Sequence, residues 1–332
     1  MECLFQGAMI PLLSGAFQCF SKLNSEVVLL CTPTELSFQV TGMALQSFLK
    51  LSIQKDAMGL YKFVCGNTFH FGVSTKALLT IFNDIKQIEN VMMKTEQVDI
   101  EFNLVFELLC KPKVRKVFRI RYSDAVLNNV SFNPEKSPNH VYVRPDLLYK
   151  ALQYLEANEE IVVKVFESSL SLENIPTEGE IRTVSNLAAS DVDHISILSP
   201  TSFRFMKTVI DIRSTELKGL EAVLQFMTMA ELRVAQLQFG EGGGVLNVGV
   251  KPGNEREGVI LEYLVATVSE NEGDSLEAHI EVTAQQKRNN PEEAEKEEKR
   301  VEMEENDDEF WQRVGKEMEM DFRDKMMKKN GI

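Results

Sequence analysis

No run of 18 or more apolar residues occurs in this chain of 332, and its first residues lack the basic flank and small-residue cleavage site of a secretory signal. A membrane-spanning helix needs about 20 such residues, so a soluble, intracellular protein without a membrane partner is expected. Cysteine is scarce: Cys3, Cys19, Cys31, Cys65 and Cys110 all fall in the first third, no CxxC pair occurs, and most sit inside apolar strand or helix patterns. Buried free thiols are expected rather than metal ligands or disulfides. The four histidines, His70, His140, His194 and His279, stand apart from one another and from any nucleophile or carboxylate motif. None is a candidate for a metal centre or a catalytic triad. No carboxylates cluster with metal-ligand spacing. Glu241-Gly-Gly-Gly lies between two strands and opens no helix, so it reads as a tight hairpin rather than a phosphate loop. No catalytic residue, metal or cofactor is therefore expected.

What the chain does have is repetition. A strand, a helix and further strands recur four times, with helix starts near Ile10, Ser74, Pro145 and Ser214. Glu26 to Phe38 (EVVLLCTPTELSF) lies over Glu160 to Leu172 (EIVVKVFESSLSL) almost without gaps. The helices before them match with a one-residue shift, Leu12, Leu13, Ala16, Phe17 and Phe20 against Leu147, Leu148, Ala151, Leu152 and Leu155. The second and fourth copies share a Ser-Thr pair, Ser74-Thr75 and Ser214-Thr215, where a hydroxyl can cap the first free amides of a helix. Self-similarity at a period of roughly 65 to 70 residues usually means an assembly of equivalent units, and it points to a ring.

Periodicity predicts strands at 2–7, 26–31, 35–40, 45–53, 68–73, 98–110 and 114–122, and helices over 9–23 and 74–89. Asp124 to Asn139, with Asn128-Asn129, Asn133-Pro134 and Ser137-Pro138-Asn139, has the turn composition of a connector. The second half repeats the order, with strands at 140–143, 160–166, 169–175, 180–187, before Ser214, and at 231–239, 245–250 and 258–269. Its helices are expected over 145–157 and 215–229. The divisions read as a first domain 1–123, a connector 124–139, a second domain 140–269, and an acidic tail 270–332, partly helical or disordered. Most of the net charge of −14 lies in that tail. The body is only mildly acidic, and a ring can hold duplex DNA topologically with only a local positive lining.

Several stretches resemble one family. Gly15-Ala-Phe-Gln-Cys-Phe-Ser-Lys-Leu, Glu35-Leu-Ser-Phe-Gln-Val and Val114-Arg-Lys-Val-Phe-Arg-Ile-Arg-Tyr come first, followed by Glu216-Leu-Lys-Gly-Leu, Ala230-Glu-Leu-Arg-Val and Val259-Ile-Leu-Glu-Tyr-Leu-Val-Ala-Thr-Val. In this order and spacing they resemble the Rad Nine subunit of the nine-one-one DNA damage checkpoint clamp, which is similar to proliferating cell nuclear antigen. The resemblance covers about residues 1 to 269. It implies an α+β sliding-clamp fold of two duplicated domains, each with two βαβββ-type units, with helices lining the hole and sheets outside. It implies a non-enzymatic, nuclear subunit of a heterotrimer that encircles DNA at damage-associated junctions. The implied partners are two other checkpoint clamp subunits, a clamp loader, double-stranded DNA, and a checkpoint kinase activator and repair enzymes. The rivals are a homotrimeric replication clamp and a metal-dependent 3'-5' DNA exonuclease, for which the sequence offers no ligands. The family's tail is typically rich in phosphorylatable Ser and Thr, whereas none follows Thr283 here, which leaves Ser275 as the phosphorylation candidate.

By the same resemblance the helices face DNA, and Lys22, Lys76, Lys86, Lys150, Arg213 and Lys218 are the candidate phosphate contacts. Singly each reads equally as a solvated cation. The run from Lys111 to Tyr122 reads either as a nuclear-import signal or, from its alternation, as a strand. As the resemblance places them, Val117, Phe118, Arg119, Ile120 and Arg121 form one subunit edge, and Glu180, Ile181, Arg182 and Val184 the other. Proline at Phe118 or Ile120 is expected to remove a ladder amide from the first edge. A client pocket would be lined by Thr41, Leu127, Val130, Phe132, Gly243 and Leu264, the apolar members of which read equally as core. In the tail Phe310, Trp311, Val314 and Met318 form either a docking stripe or part of a solvated helix.

Overall fold

Helix α1 (Met9–Leu23) forms because Ile10, Leu12, Leu13, Ala16, Phe17, Phe20 and Leu23 fall at helical spacing, and all are buried. Burial of each large side chain contributes roughly 1.5–3 kcal/mol. Pro11 sits in the first turn, where its missing amide loses no intrahelical bond. The helix stops at Asn24, whose amide still donates to Phe20 O at 3.0 Å while its Nδ2 donates to Thr41 O at 2.9 Å.

The computed structural model describes residues 1–42, 46–63, 68–98, 101–128, 130, 132–153, 155, 160–175, 181–198, 200–205, 216–240, 244–250 and 258–269. The chain separates into two compact units, Met1–Ala284 and Gln285–Ile332, and every described residue belongs to the first. Arg213, Ser214, Thr215, Glu180 and Gly243 lie outside the described residues, as do Ser275, Phe310, Trp311, Val314 and Met318 in the tail.

Helix α2 (Thr75–Ile81) is half the expected length. Ser74 makes no side-chain cap. Instead Thr75 donates its amide to Ser25 O at 2.9 Å and its hydroxyl to Asn24 O at 3.1 Å, so the turn after α1 fixes where α2 begins. The helix ends because Phe82 is drawn into the core, 5.1 Å from the Phe17 ring and 6.0 Å from Phe106, and Asn83-Asp84 then favours a turn. Lys86 consequently lies in a 3-10 turn, Ile85–Gln87, and not on the helix.

Helix α3 (Pro145–Gln153) starts on a proline and is shorter than expected, whereas α4 (Glu216–Met229) ends where expected. Beyond α4, Leu232 N donates to Met227 O at 2.9 Å and Glu231 takes φ +59°, a Schellman ending in which a glutamate occupies the position glycine usually fills.

Among the described residues all strand pairing is antiparallel. One sheet holds β1 (Glu2–Gln6), β5 (Leu60–Lys62), β7 (Ile88–Val98), β8 (Glu101–Cys110) and β9 (Val114–Arg121) in the order β5-β1-β7-β8-β9. Against it stand β2 (Glu26–Cys31), β3 (Glu35–Thr41), β4 (Ser47–Gln54) and β6 (Phe69–Ser74), in the order β6-β2-β3-β4. The second half repeats both. Strands β10 (Asn139–Val143), β14 (His194–Ser196), β16 (Ala235–Phe239), β17 (Gly244–Val250) and β18 (Val259–Ser269) run β14-β10-β16-β17-β18. Strands β11 (Glu160–Phe166), β12 (Ser169–Ile175), β13 (Val184–Ala188) and β15 (Thr201–Phe205) run β15-β11-β12-β13. The halves are fused where β18 pairs with β4, from Val259 opposite Ile53 to Val265 opposite Ser47. The counterpart of β18 is β9 and that of β4 is β13, and among the described residues neither has a strand on its far side.

The second edge strand is shorter than expected. Asn174 accounts for this, because its Nδ2 donates to Ile181 O at 3.0 Å and its Oδ1 accepts the amide of Thr183. Ile181 and Arg182 therefore precede β13, which begins at Val184.

Candidate functional site

The four helices form a row in the order α2-α1-α4-α3, since α1 packs against both α2 and α4, and α4 against α3. Two glycines allow this approach. A Cβ on Gly15 would lie 3.2 Å from the Phe226 ring, and one on Gly219 would overlap the Tyr263 hydroxyl. Lys22, in the last turn of α1, reaches across and donates to Gln225 Oε1 on α4 at 2.7 Å. Between the two helices the Glu221 carboxyl is pushed up by burial, against the opposing pull of Lys218 and Lys22. Lys76 is exposed on α2. Lys150, exposed on α3, stands 3.9 Å from Asp146, which also pairs with Arg144 at 2.6 Å. The Arg144 guanidinium holds the Asp146 carboxyl below the usual range.

Lys22, Lys76, Lys150 and Lys218 therefore share the helix row, while Lys86 sits beside it on the 3-10 turn. Sequence reasoning passed over Arg144 and Arg233, which flank α3 and α4. With Asp146, Asp193 and Glu231 they line an open cleft of about 530 Å³. Their position just outside the helical periodicity is why a search of helix faces misses them.

At the edge of the first sheet, Val114, Arg115, Lys116, Val117, Arg119 and Arg121 of β9 are exposed, with Phe118 and Ile120 half-buried against the core. The arginines are held from the sheet behind them: Arg115 pairs with Glu107, Arg119 with Glu96 at 3.4 Å, and Arg121 with Glu101 at 2.5 Å. Lys94 joins Glu107 from the other side at 3.0 Å. The edge of the second half repeats this device, with Glu173 between Lys164 and Arg182. Both glutamates are held below the usual carboxylate range, Glu107 chiefly by its bond from Lys94 and Glu173 chiefly by its bond from Lys164.

Register decides which amides are open. Tyr122 N donates to Phe102 O within the sheet, so by alternation Phe118 and Ile120 also donate inward, while Val117 and Arg119 point their amides to the free edge. The expectation for proline at Phe118 or Ile120 is corrected accordingly: those changes break the chain's own ladder, and Val117 or Arg119 is the position that tests the edge.

The connector crosses the outer face of the large sheet. Ser123 pairs with Gly72, where a Cβ would meet Glu26 and lie 3.0 Å from the Ala125 Cβ. Asn128 Nδ2 donates to Thr41 Oγ1 at 2.8 Å, and at the far end Gln238 Nε2 donates to Ser137 O at 3.0 Å. Between these anchors runs the cross-strand row Thr41, Phe48, Leu264, Asn247, Gln238. Leu264 and Phe48 are buried, but outside the helix-side core that holds Leu261, Tyr263 and Val265. Asn247 Oδ1 is enclosed without a hydrogen-bond partner. Leu127, Val130 and Phe132 are half-buried on the connector.

Cys3, Cys19, Cys31 and Cys110 are buried free thiols, and burial pushes the Cys19 thiol up to about 12. Among the described residues no three His, Cys, Asp or Glu side chains are placed to hold a metal ion. No helix among them is long and apolar enough to cross a membrane.

Among solved structures, the proliferating cellular nuclear antigen of Entamoeba histolytica is 15% identical, with a TM-score of 0.61 over 80% of this chain and 98% of its own. That of Thermococcus kodakaraensis is 14% identical, with a TM-score of 0.63 over 80% of this chain and 99% of its own. Among curated protein sequences none matches at a significant level. The duplicated sheets, the helix row and these neighbours establish the sliding-clamp fold. The Rad9 family profile matches residues 13–268, most of the described body, and the chain belongs to the Rad9 family.

Proposed function

We propose that this chain is one subunit of a heterotrimeric DNA checkpoint clamp, which encircles double-stranded DNA at damage-associated junctions and recruits checkpoint signalling and repair factors in the nucleus. The observation that carries the reading is the pair of open strand edges. Within the chain β4 closes against β18, whereas among the described residues their counterparts β13 and β9 have no strand on the far side. An edge left open costs unpaired amides and invites aggregation, and a neighbouring subunit removes both problems.

A closed ring needs little affinity for DNA, because linkage retains the duplex while the lysines of the helix row meet phosphates through solvent-screened contacts. Such a protein carries out no bond chemistry, and its function is to hold partners near DNA. Leu264 and Phe48, buried on the sheet face away from the helix-side core, with Asn247 Oδ1 enclosed beside them, support client docking at the connector. The kinase activator and repair enzymes would engage this face and the tail.

Co-expression with two other checkpoint clamp subunits, followed by sedimentation, tests the reading. A particle containing one copy of each chain is expected; a stable trimer of this chain alone contradicts it.

A further inference from the structure

The two halves carry the same sheet, and their registers superimpose residue by residue. With Glu26 set on Glu160, β2, β3 and β4 fall on β11, β12 and β13 without insertion. The row Leu29, Phe38, Leu51 becomes Val163, Leu172, Ser185. At the other margin Val28, Gly72, Ser123 becomes Val162, Arg204, Val268, which sets Arg119 on Leu264 and Val117 on Glu262. The faces agree, since Phe118 and Ile120 lie against the core as Tyr263 and Val265 do. The β4·β18 joint is therefore a template for what a neighbour adds to β9 and β13.

In that joint Leu264 faces Phe48, Glu262 faces Lys50, and Leu261 faces Leu51. Transferred to β9 of one copy against β13 of a second copy, the same register sets Arg119 opposite Arg182, Val117 opposite Val184, and Lys116 opposite Ser185. The backbone fits this pairing. Asn174 N donates to Thr183 O, so Arg182 and Val184 turn their amides to the free edge, as Arg119 and Val117 do on β9. Arg119 and Arg182 would then sit as a hydrogen-bonded pair with Cα atoms about 5.5 Å apart. Each already spends a carboxylate of its own sheet, Arg119 on Glu96 and Arg182 on Glu173. Neither VRKVFRIR nor residues 181–188 (IRTVSNLA) contain an acid to offset the second charge, and the nearest, Glu180, lies outside the described residues. Like charges directly opposite destabilise a strand pair, and Lys116 would stand where the template has a buried leucine.

We infer that β9 and β13 reject a second copy of this chain and accept strands of other subunits that place a carboxylate opposite Arg119 on one edge and opposite Arg182 on the other. The inference rests on the clamp-subunit reading and adds the residue-level rule that selects the neighbours.

Sedimentation velocity of the full chain over a concentration series, at low and high salt, tests it. Wild type is expected to remain monomeric. Arg182→Glu and, separately, Arg119→Glu each set a carboxylate against the remaining arginine. Each is expected to strengthen self-association about tenfold at each such pair, a gain that high salt abolishes. The double variant Arg119→Glu/Arg182→Glu restores like charges and is expected to return to the wild-type level. Both side chains are more than half exposed, at 57% and 62%, so thermal melts should confirm folded monomers. No gain in either single variant, or a gain that survives in the double variant, overturns the selection rule and leaves the clamp reading standing. A wild-type chain that trimerises alone overturns both.

Discussion

Gly219 sets how closely α1 and α4 approach. A Cβ there would overlap the Tyr263 hydroxyl and lie 2.9 Å from Leu23 Cδ2. Alanine gains about 1 kcal/mol of helix propensity, yet overpacking costs typically 1–3 kcal/mol, and here both neighbours are core side chains. Gly219→Ala is predicted to lower the urea midpoint, and a raised midpoint would show that the helices can separate freely. Glu107 and Glu173 make a second residue-scale prediction. Their folded-state values are depressed, so their contribution to stability is complete above the ordinary glutamate value near 4.5 and is lost as pH falls through the lowered values. Glu173→Gln should flatten the acid limb of the stability–pH profile; an unchanged limb would mean that Lys164 and Arg182 contribute nothing there. Reversing Lys22, Lys76 and Lys150 together should reduce the salt slope of DNA association by the assembled ring, by roughly 0.9 for each phosphate no longer neutralised. An unchanged slope would place these side chains away from the duplex.

At the scale of the element, β9 is the decisive strand. Val117→Pro removes an amide that points to the free edge, so assembly with partner subunits should fail while the monomer melts normally; Phe118→Pro, which removes an inward amide, should lower the melt itself. Equal behaviour of the two would contradict the register. The strand was legible in sequence because its alternation is strict, and the duplication was legible because β2 to β3 and β11 to β12 preserve one spacing. Strand β7 was not legible in this way. Among its described side chains only Val91 and Met93 are buried to mark an inner face, while Lys94 and Glu96 serve the ion pairs of the outer one, so the period-2 signal is diluted. Strands β5 and β14 are three residues each, too short to show a period. The end of α2, and with it the position of Lys86, depends on a tertiary demand, the insertion of Phe82 between Phe17 and Phe106. Helix propensity cannot report that. Candidate residues on regular elements could thus be placed from the sequence, whereas Arg144 and Arg233, beside the cleft at the helix ends, were passed over.

For the whole molecule, β4 and β18 fuse the two halves of the body, which leaves one open edge in each half among the described residues, and the connector is anchored at Thr41 and Ser137. In the proposed ring, closure would come from strand addition by neighbours and retention on DNA from that closure, with electrostatic attraction subordinate for a chain of net charge −14. The central claim is therefore topological. The most direct measurement loads the assembled heterotrimer onto nicked circular DNA with its clamp loader, washes at high salt, and compares retention before and after a single cut that linearises the circle. Salt-resistant retention on the circle that disappears on linearisation is the predicted result. Retention that salt removes from the intact circle, or that survives the cut with both ends free, would contradict encirclement.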